Sequence, residues 1–361
     1  MNPVALCCRL SLVVSILALV GCQPVRPEAP APAPQEVTVL AGAGQDVVAI
    51  NAFFPASVRI RVGDTITWNI NSDEPHSVAF LSGAPLPPDP VPVPGGGPTD
   101  IMLNPESTFS SRAPGAPVET YSGTEYRVSG DLSNGKVIPP NESYSLTFDT
   151  PGTYQYICLI HPGTMRGEVV VEEATAADVP AQADIDAQAE SEMAPLLEMA
   201  EVTRAQTTDP ELVKSEPGPN GSTIWYVPAG VTGLDPRIEI YDFFPKDLTI
   251  QSGDTVIWTS TFFHQVIFHP GQPAPEFVLP TEQESGPPLM IVNPVVAFPS
   301  KPTGEFDGTS LYSSGLIGLP VGALPGGTTF ALTFSEPGSY EYICGTHRPL
   351  GMRGTVTVLE Q

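Results

Sequence analysis

The chain carries the same sequence pattern twice. Residues 54–68 (FPASVRIRVGDTITW) match residues 244–258 (FPKDLTIQSGDTVIW) at a constant offset of 190. Residues 151–161 (PGTYQYICLIH) match residues 337–347 (PGSYEYICGTH) at an offset of 186. Weaker echoes lie between them: Asn104-Pro105 with Asn293-Pro294, and Ser122-Gly123-Thr124 with Asp307-Gly308-Thr309. An internal duplication makes each copy a structural unit in its own right. The first copy runs over residues 37–173 and the second over 221–361, each the size of one β-sandwich with an added loop. Ser57 to Trp68 alternates apolar and polar residues around a Gly63-Asp64 turn, and Ser143–Phe148 and Gly167–Glu172 behave likewise. The expected architecture is all-β, two packed antiparallel sheets per copy. The 43 prolines and 33 glycines fit short strands between turns and disfavour long helices over most of the length. Pro85–Glu125 and Gly271–Gly308, rich in turn residues, read as long excursions between strands.

Outside the copies, residues 1–21 read as an export signal. Arg9 precedes an apolar run, Leu10–Val20, that falls short of the ~20 residues a membrane-spanning helix needs. The run ends in Leu19-Val20-Gly21-Cys22, which resembles a bacterial lipobox, so Cys22 is expected to carry lipid and begin the mature chain. Residues 22–36 then form a Pro-rich tether, whose 14 residues after Cys22 extend roughly 40 Å at ~3.1 Å per residue. Residues 174–220 form an acidic linker with one helix-prone segment, Met193–Val202. Treated as coil, those 47 residues span roughly 38 Å and leave the two units free to move independently. The net charge of −25 speaks against nucleic acid as a partner and suits a soluble exported protein. Cys7 and Cys8 leave with the signal, so the folded part keeps Cys158 and Cys344, whose surroundings match each other.

Those two cysteines anchor the chemistry. Cys158 and His161 stand at C-x2-H with Met165 four residues on; Cys344 and His347 repeat the spacing with Met352 five residues on. Upstream, His76 follows Trp68, and His264 follows Trp258. Each copy therefore offers one thiolate, two imidazoles and a thioether, the donor set of a trigonal His2Cys copper site with a weak axial Met. The soft sulfur donors suit copper, and imidazole tolerates both of its oxidation states. Tyr154, Tyr156 and Cys158 alternate on one strand face, so a loop starting at Leu159 can turn His161 and Met165 toward the thiolate. Trp68, Trp258 and the paired tyrosines read as core, and His269 as a surface residue.

The order G-D-x-[IV]-x-W, a lone His, then P-G-x-Y-x-Y-x-C-x-x-H and Met resembles the plastocyanin branch of the cupredoxins. That resemblance implies two tandem cupredoxin Greek-key β-sandwich domains joined by an acidic linker. It implies type 1 (blue) copper at His76, Cys158, His161 and Met165, and at His264, Cys344, His347 and Met352. The second copy has plastocyanin's H-x4-M spacing and the first is one residue shorter. Ser77 and Gln265 stand where plastocyanin has Asn, so hydrogen bonding around the ligands is expected to differ. Ile157 and Ile343 replace the Tyr before the Cys, so electrons are expected to pass through exposed edges of His161 and His347, framed by Pro162 and Pro349-Leu350.

The expected function is one-electron transfer by an exported lipoprotein, periplasmic or on the cell surface, membrane-tethered through Cys22 and serving redox partner proteins. Copper storage or delivery is the alternative, although 7 scattered Met are few for transport. A two-domain multicopper oxidase or nitrite reductase needs more imidazoles than 5 His, four already assigned, can give. A fully occupied coordination sphere also leaves no place for a small-molecule substrate, so no enzyme is expected.

Overall fold

A computed structural model describes residues 32–207, 213–300, 304–318 and 327–360. The export signal and Cys22 lie outside the described residues. The first half runs β1 (Glu36–Ala43), β2 (Val48–Phe54), β3 (Ser57–Arg61), β4 (Thr65–Ile70), β5 (Ala79–Phe80), β6 (Val91–Pro92), β7 (Ile101–Met102), the one-turn helix α1 (Pro105–Thr108), β8 (Glu119–Tyr121), β9 (Arg127–Val128), β10 (Ser143–Phe148), β11 (Gly152–Ile157) and β12 (Arg166–Glu172). Helix α2 (Gln182–Thr207) follows. The second half runs β13 (Lys214–Pro217), β14 (Thr223–Thr232), β15 (Ile238–Phe243), β16 (Asp247–Gln251), β17 (Thr255–Thr259), β18 (Ile267–Phe268), β19 (Val278–Thr281), β20 (Leu289–Val292), helix α3 (Pro294–Ala297), β21 (Gly304–Phe306), β22 (Tyr312–Ser313), β23 (Thr329–Phe334), β24 (Gly338–Ile343) and β25 (Arg353–Leu359).

Each half is a two-layer β-sandwich. In the first, β1, β2, β4, β10 and β8 face a second layer ordered β3-β12-β11-β5-β9; in the second, β14, β15, β17, β23 and β21 face β16-β25-β24-β18-β22. The layers are mixed rather than purely antiparallel. Strand β1 runs parallel to β4, and β14 to β17, because the chain visits the other layer through β3 or β16 between them. The cores repeat in detail. Trp68 meets Tyr156 at 5.3 Å and 72°, and Trp258 meets Tyr342 at the same 5.3 Å and 72°. The G-D turns repeat too: Gly63 and Gly253 both take φ +94, outside the ordinary range of L side chains. The following buried aspartates fasten the neighbouring strand. Asp64 accepts from the N–H of Gln35 and Arg61, both at 2.8 Å, and Asp254 from that of Thr223 (2.7 Å) and Gln251 (3.0 Å). The Asn-Pro echo is a helix start: Asn104 and Asn293 cap α1 and α3 by accepting from Glu106 N and Val295 N, with Pro at N1.

The halves are not free of one another, contrary to the expectation from the linker. Strands β2 and β15 pair antiparallel (Ile50↔Ile238, Ala49↔Glu239, Val48↔Ile240), fusing one layer of each half into an 11-stranded sheet. The two excursions also meet: β7 and β20 pair at Met102 and Ile291 within a four-stranded sheet. The stretch expected to be coil contains the 26-residue α2, far longer than Met193–Val202. Ile185, Ala189, Leu196 and Ala200 line its buried face. Three of these, Ala189, Leu196 and Ala200, pack with Val48, Ile50 and Phe54 of the first half and with Ile238 and Ile240 of the second. Polar side chains secure the helix: Gln182 accepts from Thr38 N at 2.8 Å and Glu192 from Ala56 N at 2.8 Å.

This shared core predicts joint unfolding. Ile240→Ala empties a fully buried position in it and is expected to cost about 2–5 kcal/mol. Denaturation followed separately in each half should still show one common transition; two transitions, only one of them moved, would mean the halves fold independently.

Candidate metal centres

In each half a strand end delivers the cysteine and a tight loop returns the other groups. Cys158 follows β11 and Cys344 follows β24. The loops close with the same backbone bonds. Cys158 N donates to Met165 O (3.0 Å) and Met165 N to His161 O (3.0 Å), while Cys344 N donates to Met352 O (3.2 Å) and Met352 N to His347 O (3.2 Å). The extra residue of the second loop is taken up by a 3-10 turn at Arg348–Leu350 ending in Gly351 at φ +105. Met165 and Met352 therefore occupy the same station, both fully buried. The remote histidines are clamped by paired backbone bonds, His76 with Leu132 (3.0 and 2.6 Å) and His264 with Ile317 (3.2 and 2.9 Å).

The result is two buried triangles of donor atoms, His76-Cys158-His161 and His264-Cys344-His347. In the first, the Nδ1 atoms are 3.3 Å apart and lie 4.0 and 3.7 Å from Sγ; in the second, 3.1 Å apart and 3.8 and 3.6 Å from Sγ. An ion bonded at ~2.0 Å to nitrogen and ~2.3 Å to sulfur at trigonal angles spaces its donors about 3.5 Å (N to N) and about 3.7 Å (N to S). The triangles match that spacing. Burial holds all four imidazoles below their ordinary range, His161 at about 4 and His347 at about 3, so they stand as neutral lone-pair donors. Burial also pushes both thiols up to about 11. Forming the thiolate at neutral pH thus costs on the order of 5 kcal/mol, which binding of the ion has to offset. The donor set fits a soft cation.

Around the triangles the halves differ, as the replacement of Asn by Ser77 and Gln265 anticipates. Ser77 Oγ accepts from Leu159 N at 2.7 Å, and Ser77 N points at Cys158 Sγ at 3.3 Å. Gln265 Oε1 accepts from Thr346 N at 3.0 Å and stands 3.1 Å from Cys344 Sγ. Both residues tie the remote His to the strand end behind the cysteine. His269 belongs to neither triangle; its ring bonds Gln272 O at 2.8 Å.

Other contributors escape motif reading. Gly42 and Gly230, at φ +75 and +77, sit at bulges in β1 and β14. A Cβ there would lie 2.2 Å from His76 Nε2 or 2.1 Å from His264 Nε2. The matching Ala41-Gly42 and Ala229-Gly230 dipeptides are their only trace in the sequence. Gly42→Ala and Gly230→Ala are each expected to push the neighbouring imidazole out of its triangle. Metal analysis should then find one ion fewer per chain, and full occupancy would contradict this packing.

The expected exposed edges of His161 and His347 are not there. The two residues are 3% and 1% exposed because the halves meet across them. Tyr241 stacks on His347 at 4.1 Å and 10°. Phe262, from the second half, stacks on His161 of the first at 6.1 Å and 18°. Between the rings lies Glu74, with Oε1 4.0 Å from His161 Nε2 and Oε2 3.8 Å from His347 Nε2. Burial pushes Glu74 up to about 7, and burial with Glu74 nearby pushes Glu239 up to about 8. Glu74 and Phe262 occupy equivalent positions, each two residues before a remote histidine. The first copy has a carboxylate where the second has a ring, so the repeat conceals this contact.

Comparison with known proteins places the chain among copper-binding proteins. The family model for copper binding proteins of the plastocyanin/azurin family matches residues 40–172 and 321–359. A plastocyanin of Scenedesmus fuscus is 32% identical over 138 residues, 38% of this chain and 100% of that protein. An amicyanin-alpha of Methylorubrum extorquens is 30% identical over 132 residues, 37% of this chain and 74% of that protein. Among solved structures, the Cu(I) form of a mutant amicyanin matches 39% of this chain and 86% of that chain at 25% identity, with a TM-score of 0.23.

Proposed function

The chain belongs to the plastocyanin/azurin family of copper-binding proteins, and on that premise we propose that it is an electron carrier with two type 1 copper sites, exported and tethered to a membrane. The observation that carries this reading is the duplicated buried triangle of one thiol and two imidazole Nδ1 atoms. His76, Cys158 and His161 would hold one ion and His264, Cys344 and His347 the other, with the thioethers of Met165 and Met352 as weak further donors. Copper, when bound, supplies a one-electron couple. The residues supply the rest. Backbone clamps and loop bonds fix the donors, so little rearrangement accompanies a change of charge. Burial of every donor keeps water and substrate away from the site, which favours a carrier over an enzyme. Its partners are redox proteins, which must approach elsewhere than the buried edges of His161 and His347.

A soluble form starting at Gln23 should bind two coppers and show intense thiolate-to-Cu(II) absorption. Cys158→Ser and Cys344→Ser are each expected to remove about half of that absorption, since each half holds one such triangle. A variant that kept the full band would exclude its cysteine as a ligand.

Export and anchoring rest on Leu10–Val20 and Cys22. Among the described residues no helix is long and apolar enough to cross a membrane; the proposed anchor is lipid on Cys22. Cys22→Ala is expected to move the protein from the membrane fraction to the soluble or unprocessed fraction with both copper sites intact. Pelleting with membranes after a high-salt wash would exclude the lipid anchor.

A further inference from the structure

The Nδ1 atoms of His161 and His347 face the thiols, so when they donate their lone pairs the ring protons stand on Nε2. A ligand histidine ordinarily gives that N–H to a carboxylate, a carbonyl or water. Here both Nε2 atoms point into the seam between the halves, and the acidic group they meet is Glu74, whose side chain is 7% exposed. Neither Glu74 Oε2 nor His161 Nε2 has a hydrogen-bond partner. At 4.0 and 3.8 Å one carboxylate oxygen faces each neutral ring, about 1 Å outside hydrogen-bond length. The repeat supplies no second acid, because its equivalent position is Phe262. One carboxylate serves two rings.

We propose that Glu74 is a positioning residue common to both metal centres, taking His161 Nε2–H on one oxygen and His347 Nε2–H on the other, so that the two centres form one coupled unit. The inference rests on the copper reading above. When ionised, Glu74 strengthens each Nδ1 as a donor and favours the more highly charged oxidised ion, and burial screens that attraction little. A change in the first half of the chain is therefore felt at the centre in the second half.

The test reads each centre alone. Cys344→Ala leaves the first centre and Cys158→Ala the second, and Glu74→Gln is added to each. Midpoint potentials are measured by following the thiolate absorption. Loss of the shared carboxylate should weaken Cu(II) relative to Cu(I) about tenfold at both centres, a rise of about 59 mV for a one-electron couple. A first-centre shift with an unmoved second centre would reduce Glu74 to a local residue and overturn the coupling, as would no shift at either. Glu74→Asp keeps the charge with a shorter reach and should raise both potentials by less; if Glu74→Gln does not fold, an unmoved second centre in Glu74→Asp overturns the proposal instead. A readout without redox chemistry uses the Zn(II)-loaded protein: the 15N resonance of His347 Nε2 should move on Glu74→Gln, and a fixed resonance would contradict the contact. Absence of blue absorption from the protein with Glu74 intact would overturn the copper reading and this inference together. Blue absorption at both centres with an unmoved second-centre potential overturns the inference alone.

Discussion

The pairing of β2 with β15 governs what the molecule can be. Three residue pairs, Ile50 with Ile238, Ala49 with Glu239 and Val48 with Ile240, join two sandwiches edge to edge. An exposed strand edge is a liability that proteins cover or pair, and here each half covers the other's. The join continues past the ladder, with Tyr241 N donating to Val47 O at 2.7 Å. Tyr241 in turn stacks on His347. The contact that joins the two halves thus also sets the wall of a metal centre. Helix α2 seals the join from outside, packing on both strands at once.

Duplication preserved the scaffold and let the surroundings of the two centres drift. The Trp–Tyr pairs, the G-D turns, the bulge glycines and the loop bonds recur in both halves. What differs sits just outside the donor triangles: Ser77 against Gln265, Glu74 against Phe262, and a loop one residue shorter before Met165 than before Met352. These are groups that tune a bound ion without holding it. Two centres of the same kind with different settings suit a chain that passes electrons rather than one that merely holds metal.

Much of this was legible in the sequence for a physical reason. Strand alternation, turn glycines and the C-x2-H spacing are local constraints that leave a mark on every copy, and His76, Cys158 and His161 come together as their spacing suggests, as do His264, Cys344 and His347. Contacts between the halves leave no periodic mark. The segment 182–207 reads as linker because Pro195 and its many acidic residues hide a sparse apolar stripe, Ile185, Ala189, Leu196 and Ala200, that acquires meaning only against both sheets. The burial of His161 and His347 was invisible for the same reason: in a lone sandwich that end would face solvent. Glu74 is masked further because its repeat partner is Phe262, so a search for shared residues passes over it.

Each half should hold its own copper, and the two should lie on either side of one buried carboxylate. Diffraction from copper-loaded crystals, collected across the copper absorption edge, tests it most directly. Two anomalous peaks per chain are expected, one inside the His76-Cys158-His161 triangle and one inside the His264-Cys344-His347 triangle, with Glu74 between them. A single peak, or peaks outside those triangles, would contradict it.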